Sequence, residues 1–416
     1  MGLFPFGTSS RSKVAWPQNP AQLVTQTRDS PAQSEKISLR ELIENRCPSV
    51  LKPFKPAWGL FNGHLQTGYA VVGDFTSRKL LKLKDGGTLG VDFTPPADSG
   101  REFQDTTPVV VALHGSHRRC ADSSYEAYVR NIIAPAIAPV EEGGLGIPRC
   151  CRAGVPLTSP QFYGLSHTDD FRQAIYYIAH MYPHAPLLGI GFSLGANILT
   201  RYVAEEGESC RLVSACALAC VWATWFSRTA YAKSLGTNLK KVVARHADSI
   251  RQFPDSPFAQ ALPTLLAKPN ERLLMRQFDR IVSIQCAGSR PPFPFEDEWE
   301  YYKYASSHDK LEAIAWVPLD FDRNQWVTIV VTHGGGHLGW FQSGGSANRW
   351  ARRPALEWFR ATAEGVTFGL RQIPPVKLIN GWLGEVGKER LGCKEAGDGG
   401  KIQGGPGRKG DVLSGL

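Results

Sequence analysis

The residues best suited to chemistry in this 416-residue chain are a serine between two glycines and two histidines in a later glycine-rich stretch. Ser193 sits in Gly191-Phe192-Ser193-Leu194-Gly195, a Gly-x-Ser-x-Gly pattern. His333 and His337 lie in THGGGHLGW, residues 332–340. A serine hydroxyl becomes a useful nucleophile when an imidazole removes its proton. Attack on a carbonyl then leaves a charged oxygen, which needs N–H donors aimed at it. Such donors are on offer from the backbone N–H of Leu194, at an expected helix start, and from the turn His114-Gly115-Ser116 that follows an apolar run. Together these residue types point to acyl transfer.

The serine can act only if a strand and a helix lift it on a sharp turn. Residues 185–190 are a short apolar run after a proline, and Leu194, Asn197, Ile198 and Tyr202 continue with helical spacing. Glycines at 191 and 195 let strand and helix approach without Cβ clashes. In a chain with 42 glycines the bare pattern could also be an ordinary Gly-Ser turn; the flanking elements favour the nucleophile elbow.

Other elements follow from pattern. Residues 69–75 and 79–84 read as strands, Asp85-Gly86-Gly87 as a hairpin turn and 88–93 as the returning strand. Strands are also expected at 108–113 and 211–220, and helices at 125–140 and 169–181. No strand-like run occurs between 141 and 166, where an alternating sheet should have one. Residues 222–312 are helical and aromatic and read as a cap over the site; Trp222, Trp225 and Phe226 suit an apolar acyl chain or core packing, and His246 reads as a packing histidine. Residues 327–331 read as the last strand, delivering His333 and His337, and 349–363 as a closing helix. Serine before histidine in chain order is the α/β-hydrolase arrangement.

Composition excludes several other classes. The net charge of +9 is modest for this length and the basic residues are scattered, so nucleic-acid binding is not indicated. No uncharged apolar stretch is long enough to span a bilayer, and residues 1–20 lack a secretory leader's pattern. The chain begins Met1-Gly2, but Phe6 stands where a myristoylation signal wants Ser or Thr. Nine cysteines without paired Cys-x-x-Cys spacing indicate free thiols in a reducing compartment, with no metal site and no cofactor. The expected setting is intracellular, either cytoplasmic or peripheral on a lipid droplet or the endoplasmic reticulum membrane. The expected partners are a small ester or lipid substrate and an alcohol acceptor, with peripheral association at a lipid surface. Residues 1–50 are polar and expected to be largely disordered apart from a helix at 39–45; 51–383 form the hydrolase domain, its cap at 222–313; 384–416 are a disordered Gly/Lys-rich tail.

Several stretches together resemble the AB hydrolase 4 family, which includes medium-chain fatty acid ethyl ester synthase/esterases, phospholipases and monoacylglycerol lipases. They are NGHLQT at 62–67, GVPLTSPQFY at 154–163, HTDDFR at 167–172, GFSLGAN at 191–197 and the glycine-rich stretch at 332–340. The likeness covers residues 50–365 and implies an α/β-hydrolase fold, a mostly parallel central sheet flanked by helices with a helical cap. It implies Ser193 as nucleophile, His337 as base with His333 as rival, and oxyanion donors at Leu194 and at Gly115 or Ser116. His64 and Gln66 match the family without a mechanistic account.

Two departures from the family stand out. The strand expected before Ala153-Gly154-Val155 is read as missing, because Gly146-Ile147-Pro148-Arg149-Cys150 runs almost directly into that segment. The strand and Asp-Asp-Pro turn that should carry the acid are also absent before residue 327, leaving Asp320, with Asp322 and Asp309 behind it, as weak candidates. Two missing internal strands suggest a faulty gene model or a defective copy. The expected activity is that of a serine hydrolase or acyltransferase on medium-chain fatty acyl esters or acylglycerols; the alternative is a catalytically impaired relative serving as a lipid-binding or scaffold protein.

Overall fold

A computed structural model describes residues 12–26, 34–55, 77–95, 103–115, 127–138, 149–153, 157–219, 225–288, 291–306, 324–332, 338–343, 349–368 and 371–396. In chain order the elements are β1 (Lys13–Ala15), β2 (Gln22–Gln26), β3 (Ser34–Ser38), α1 (Leu39–Arg46), β4 (Ser77–Leu83), β5 (Thr88–Thr94), β6 (Val109–Leu113) and α2 (Ala127–Ile137). Then come β7 (Arg149–Ala153), α3 (Asp169–Met181), β8 (Leu187–Phe192), α4 (Leu194–Glu206), β9 (Leu212–Leu218), α5 (Trp225–Arg245), α6 (Ala247–Arg251), α7 (Pro257–Leu266) and α8 (Glu298–Ala305). The chain closes with β10 (Ile329–Val331), α9 (Arg352–Gly365), β11 (Val376–Ile379), β12 (Trp382–Glu385) and β13 (Cys393–Glu395). They fall into two compact units, Met1–Asp74 with Tyr125–Ile147 and Leu311–Leu370, and Phe75–Ser124 with Pro148–Lys310 and Arg371–Leu416.

The second unit carries a nine-stranded sheet in the order β11-β12-β13-β4-β5-β7-β6-β8-β9. Strands β7, β6, β8 and β9 are parallel neighbours; the remaining pairs are antiparallel. Strand β6 is buried along its whole length, as expected for a β-branched run covered on both faces. Helix α3 presents Phe171, Ala174, Ile175 and Ile178 to the same core as Val109, Val111 and Leu113, and α4 adds Ile198, Leu199 and Tyr202. This is the α/β architecture read from the sequence, but the sheet is mixed and not mostly parallel, because the strands beyond β7 on the β5 side all pair antiparallel.

One strand thought lost is present. Residues 149–153, Arg-Cys-Cys-Arg-Ala, form β7 between β5 and β6, with Phe93 opposite Cys150 on one side and Val111 opposite Cys150 on the other. Nothing in that composition favours a strand. Two flanking strands with backbone groups to satisfy impose the conformation, which is the tertiary override expected of β-propensity.

Further differences concern the two ends of the chain and the late strand. The polar N-terminal stretch is structured over its described residues. Strands β2 and β3 pair antiparallel in a two-stranded sheet, placing Leu23 and Ile37 against a cluster with Leu39, Leu42 and Ile43 of α1. Helix α1 starts where the sequence places it, with Ser38 Oγ accepting from the Glu41 N–H at 3.1 Å and Glu41 Oε2 accepting from the Ser38 N–H at 2.7 Å. The tail is ordered as far as residue 396, where β13 pairs with β4 and buries Cys393 completely. Strand β10 forms as expected, but it pairs antiparallel with β1 in a two-stranded sheet of the first unit and is no member of the nine-stranded sheet. The expected strand at 69–75 and the stretch 307–323, with Asp309, Asp320 and Asp322, lie outside the described residues. The described residues between 225 and 306 form helices joined by turns and loops, with no strand among them. Among the described residues no helix is long and apolar enough to cross a membrane.

Candidate active site

Strand β8 is buried at all six positions and ends at Phe192; α4 begins at Leu194. Ser193 between them has φ 52° and ψ −115°, a backbone conformation that L-residues rarely adopt. The Ser193 N–H donates to the Leu218 carbonyl of β9 at 3.0 Å, and the Ser193 carbonyl accepts from the N–H groups of Ala196 at 3.0 Å and Asn197 at 3.2 Å. The turn is thus fixed from the sheet side and the helix side at once, and Ser193 itself stays half-buried.

The glycines are explained by contact. A Cβ on residue 191 would stand 2.5 Å from the Gly195 carbonyl oxygen and 2.6 Å from the Ala196 Cα. On residue 195 it would stand 2.5 Å from the His114 carbonyl oxygen and closer still to that of Leu113. The end of β6 therefore packs directly on the first turn of α4. That packing brings Ser193, Leu194 and the His114-Gly115 turn together, at a helix N-terminus whose first N–H groups have no intrahelical acceptor. His114 Nδ1 lies 2.5 Å from the Gly115 carbonyl oxygen.

A cavity opens beside this elbow. Its walls are His114, Leu194, Gly195 and Ile198 from the elbow side, the β4–β5 turn at Asp85 and Gly87, residues 157–163, Asp170 of α3, and Val242 and His246 of α5. It therefore sits at the carboxyl ends of β6 and β7, the edge where open α/β sheets place ligands. The HTDDFR stretch buttresses it: His167 Nε2 stands 2.7 Å from the Gln161 amide nitrogen and 3.2 Å from Asp170 Oδ1. Burial, with the nearby Arg245 charge, holds the His246 imidazole below its ordinary pKa, so this ring is neutral at pH 7.

Asn197, the last residue of GFSLGAN, explains itself once the fold is seen. Its Nδ2 donates to the Leu165 carbonyl at 2.8 Å and the Ala305 carbonyl at 3.1 Å, locking α4 to the loop before α3 and to the end of α8. Among the described residues no group of three or more His, Cys, Asp or Glu side chains is placed to hold a metal ion.

No family model matches the chain. It is similar to a monoacylglycerol lipase of Saccharomyces cerevisiae, 24% identical over 407 residues, 80% of this chain and 87% of the relative. It is also similar to medium-chain fatty acid ethyl ester synthase/esterase 2 of the same yeast, 23% identical with 78% and 90% of the two chains covered. An embryogenesis-associated protein of Picea glauca is 27% identical over 72% of this chain and 70% of its own. The chain resembles the AB hydrolase 4 family. A solved esterase of Pyrococcus furiosus is 16% identical, covering 56% of this chain and 82% of its own, with a TM-score of 0.28.

Of the site which that resemblance implies, the elbow half is in view and the base half is not. Ser193, Leu194, His114 and Gly115 stand together; Ser116, His333, His337, Trp222, His64 and Gln66 lie outside the described residues. The side chains of Trp225 and Phe226, in the first turn of α5, are likewise outside them. Sequence reasoning overlooked the cavity. Its described lining residues come from six separate segments, and no local pattern joins them.

Proposed function

We propose that this protein is a serine carboxylic ester hydrolase acting on medium-chain fatty acyl esters or acylglycerols through an acyl-serine intermediate. The observation that carries the reading is the strained positive φ of Ser193 at the junction of β8 and α4. Strain of this kind persists where the surrounding structure over-determines it, and here it lifts one hydroxyl off a buried sheet. The names of the two yeast relatives support the substrate class.

In the reaction, His337 takes the proton from Ser193 Oγ as Oγ bonds to the ester carbonyl carbon. The carbonyl oxygen becomes an oxyanion, held by the backbone N–H groups of Leu194 and Gly115. The tetrahedral intermediate collapses, the C–O bond to the alcohol breaks, and His337 returns the proton to the departing alkoxide. Water, deprotonated by the same imidazole, attacks the acyl-serine and releases the acid; an alcohol in place of water yields a new ester. No cofactor enters. The helices over 225–306 act as the cap, α5 contributing Val242 and His246 to the cavity wall. Substrates of this class partition into lipid surfaces, which is where we place the enzyme's work.

One observation favours a second reading. Strand β10, which precedes His333 and His337, pairs with β1 and not with the nine-stranded sheet. In that reading the elbow persists without its base and acid, and the protein binds lipid or serves as a scaffold. Hydrolysis of an octanoyl ester by the purified full chain separates the two: activity lost in Ser193→Ala supports the enzyme, and equal rates in both proteins refute it.

A further inference from the structure

The cavity beside the elbow has two kinds of wall. Toward α4 and α5 it is apolar, with Ile198 and Val242. Toward the β4–β5 turn it is polar, and the polar groups mix donors with acceptors. Thr158 Oγ1 pairs with Thr88 Oγ1 at 2.8 Å and donates to the Gly86 carbonyl at 3.0 Å, Gln161 brings an amide, and Asp170 brings a carboxylate. A cationic head would use only the acceptors. A hydroxyl group both donates and accepts, so it matches a wall of this composition.

A second observation points the same way. His246 is only 5% exposed and lines the cavity, and its Nδ1 has no hydrogen-bond partner among the described residues. A buried polar atom without a partner is costly and rare in native structures. A ligand hydroxyl reaching this ring would remove the cost, by a small rotation of the imidazole that brings the nitrogen to it.

Resting on the esterase reading above, we infer that this cavity is the subsite for the hydroxyl-bearing alcohol part of the ester, with His246, Thr158 and Gln161 as its specificity-determining residues. The acyl chain then leaves Ser193 in another direction. Simple alkyl esters bind without using the polar wall, and polyol esters gain from it.

The test uses non-hydrolysable ethers, which need no turnover. The full chain carrying Ser193→Ala is titrated with 1-O-octylglycerol, octyl ethyl ether and an octyl ether of choline. The glycerol ether should bind about tenfold more tightly than the ethyl ether, as expected where a site's polar groups are left unpaired by the poorer ligand. His246→Phe should erase most of that preference. So should Thr158→Val, a half-buried loop position where folding is least at risk. Equal affinity for the glycerol and ethyl ethers, or a preference that survives both substitutions, overturns the inference. Tightest binding of the choline ether overturns it in favour of a cation subsite. None of these outcomes depends on hydrolysis, so failure of the esterase reading is seen separately in the octanoyl ester assay.

Discussion

The nine-stranded sheet ends in two different ways. Beyond β4 it continues through β13, β12 and β11, and this end is sealed by buried charge. Glu206 of α4 accepts from Arg172 Nε at 2.5 Å and from Lys388 Nζ at 2.7 Å, while Arg211 reaches Glu385 of β12 at 2.8 Å. At the other end the sheet stops at β9: no described strand pairs with its outer edge, and Ala215 and Ala217 are exposed. Ser193 stands one strand in from this bare edge. The contrast teaches that the elbow is specified by contacts close at hand, namely two glycines, the end of β6 and one hydrogen bond to β9. The histidine loop instead depends on a late strand, and in this chain that strand pairs elsewhere.

The largest effect should come from testing whether the late loop completes the site despite that difference. His337→Ala should lower ester hydrolysis by about 10⁴-fold or more, the scale seen when a triad member is removed. His333→Ala should leave most of the activity; the reverse pattern would reassign the base. Next, the local specification of the elbow can be broken directly. Gly195→Ala forces a methyl against the carbonyl oxygens of Leu113 and His114, so it should destabilise the fold by about 1–3 kcal/mol in denaturant titration and remove activity beyond that loss.

The sealed end should be sensitive to acid. Burial alone would raise the Glu206 carboxyl, but the hydrogen bonds from Lys388 and Arg172 outweigh it and hold the pKa below its ordinary value. A depressed folded-state pKa gives stability that is complete above the unfolded value and is lost as pH falls through the folded one. The Tm gap between the wild type and Glu206→Gln should therefore be widest near neutrality and close below about pH 4. The helices that follow the bare edge predict the opposite sign with a smaller effect. Asp279, fully buried in a π-helical turn, accepts from Ser283 Oγ and Tyr302 Oη at 2.6 Å each. Burial pushes its carboxyl up to about 6, with the Glu298 charge adding to the rise. A raised folded pKa gives stability that is complete below the unfolded value and is lost as pH rises through about 6. Relative to Asp279→Asn, the wild type should lose stability between about pH 4 and 6, measured by the same melts.

Much of the sheet was legible because its signals are local. The buried run of β6, the Asp85-Gly86-Gly87 turn, the amphipathic α3 and the Gly-x-Ser-x-Gly junction each carry their own pattern. Strand β7 was not, since Arg-Cys-Cys-Arg-Ala is a strand only because β5 and β6 stand on either side of it. The C-terminal strands could have been read. Asn380-Gly381, at φ 51° and 78°, is the residue pair that a tight hairpin between β11 and β12 requires, and it stands just before the stretch from 384 read as a disordered tail. The pairing of β10 with β1 joins segments about three hundred residues apart, and no spacing within either could reveal it.

The claim under everything else is that Ser193 is a live nucleophile in this chain. Treating the purified protein with a fluorophosphonate probe and mapping the adduct by peptide mass spectrometry tests it most directly. The account predicts one stoichiometric adduct on Ser193, absent in Ser193→Ala and sharply slowed in His337→Ala. A folded wild-type protein that takes up no probe at Ser193 would contradict it.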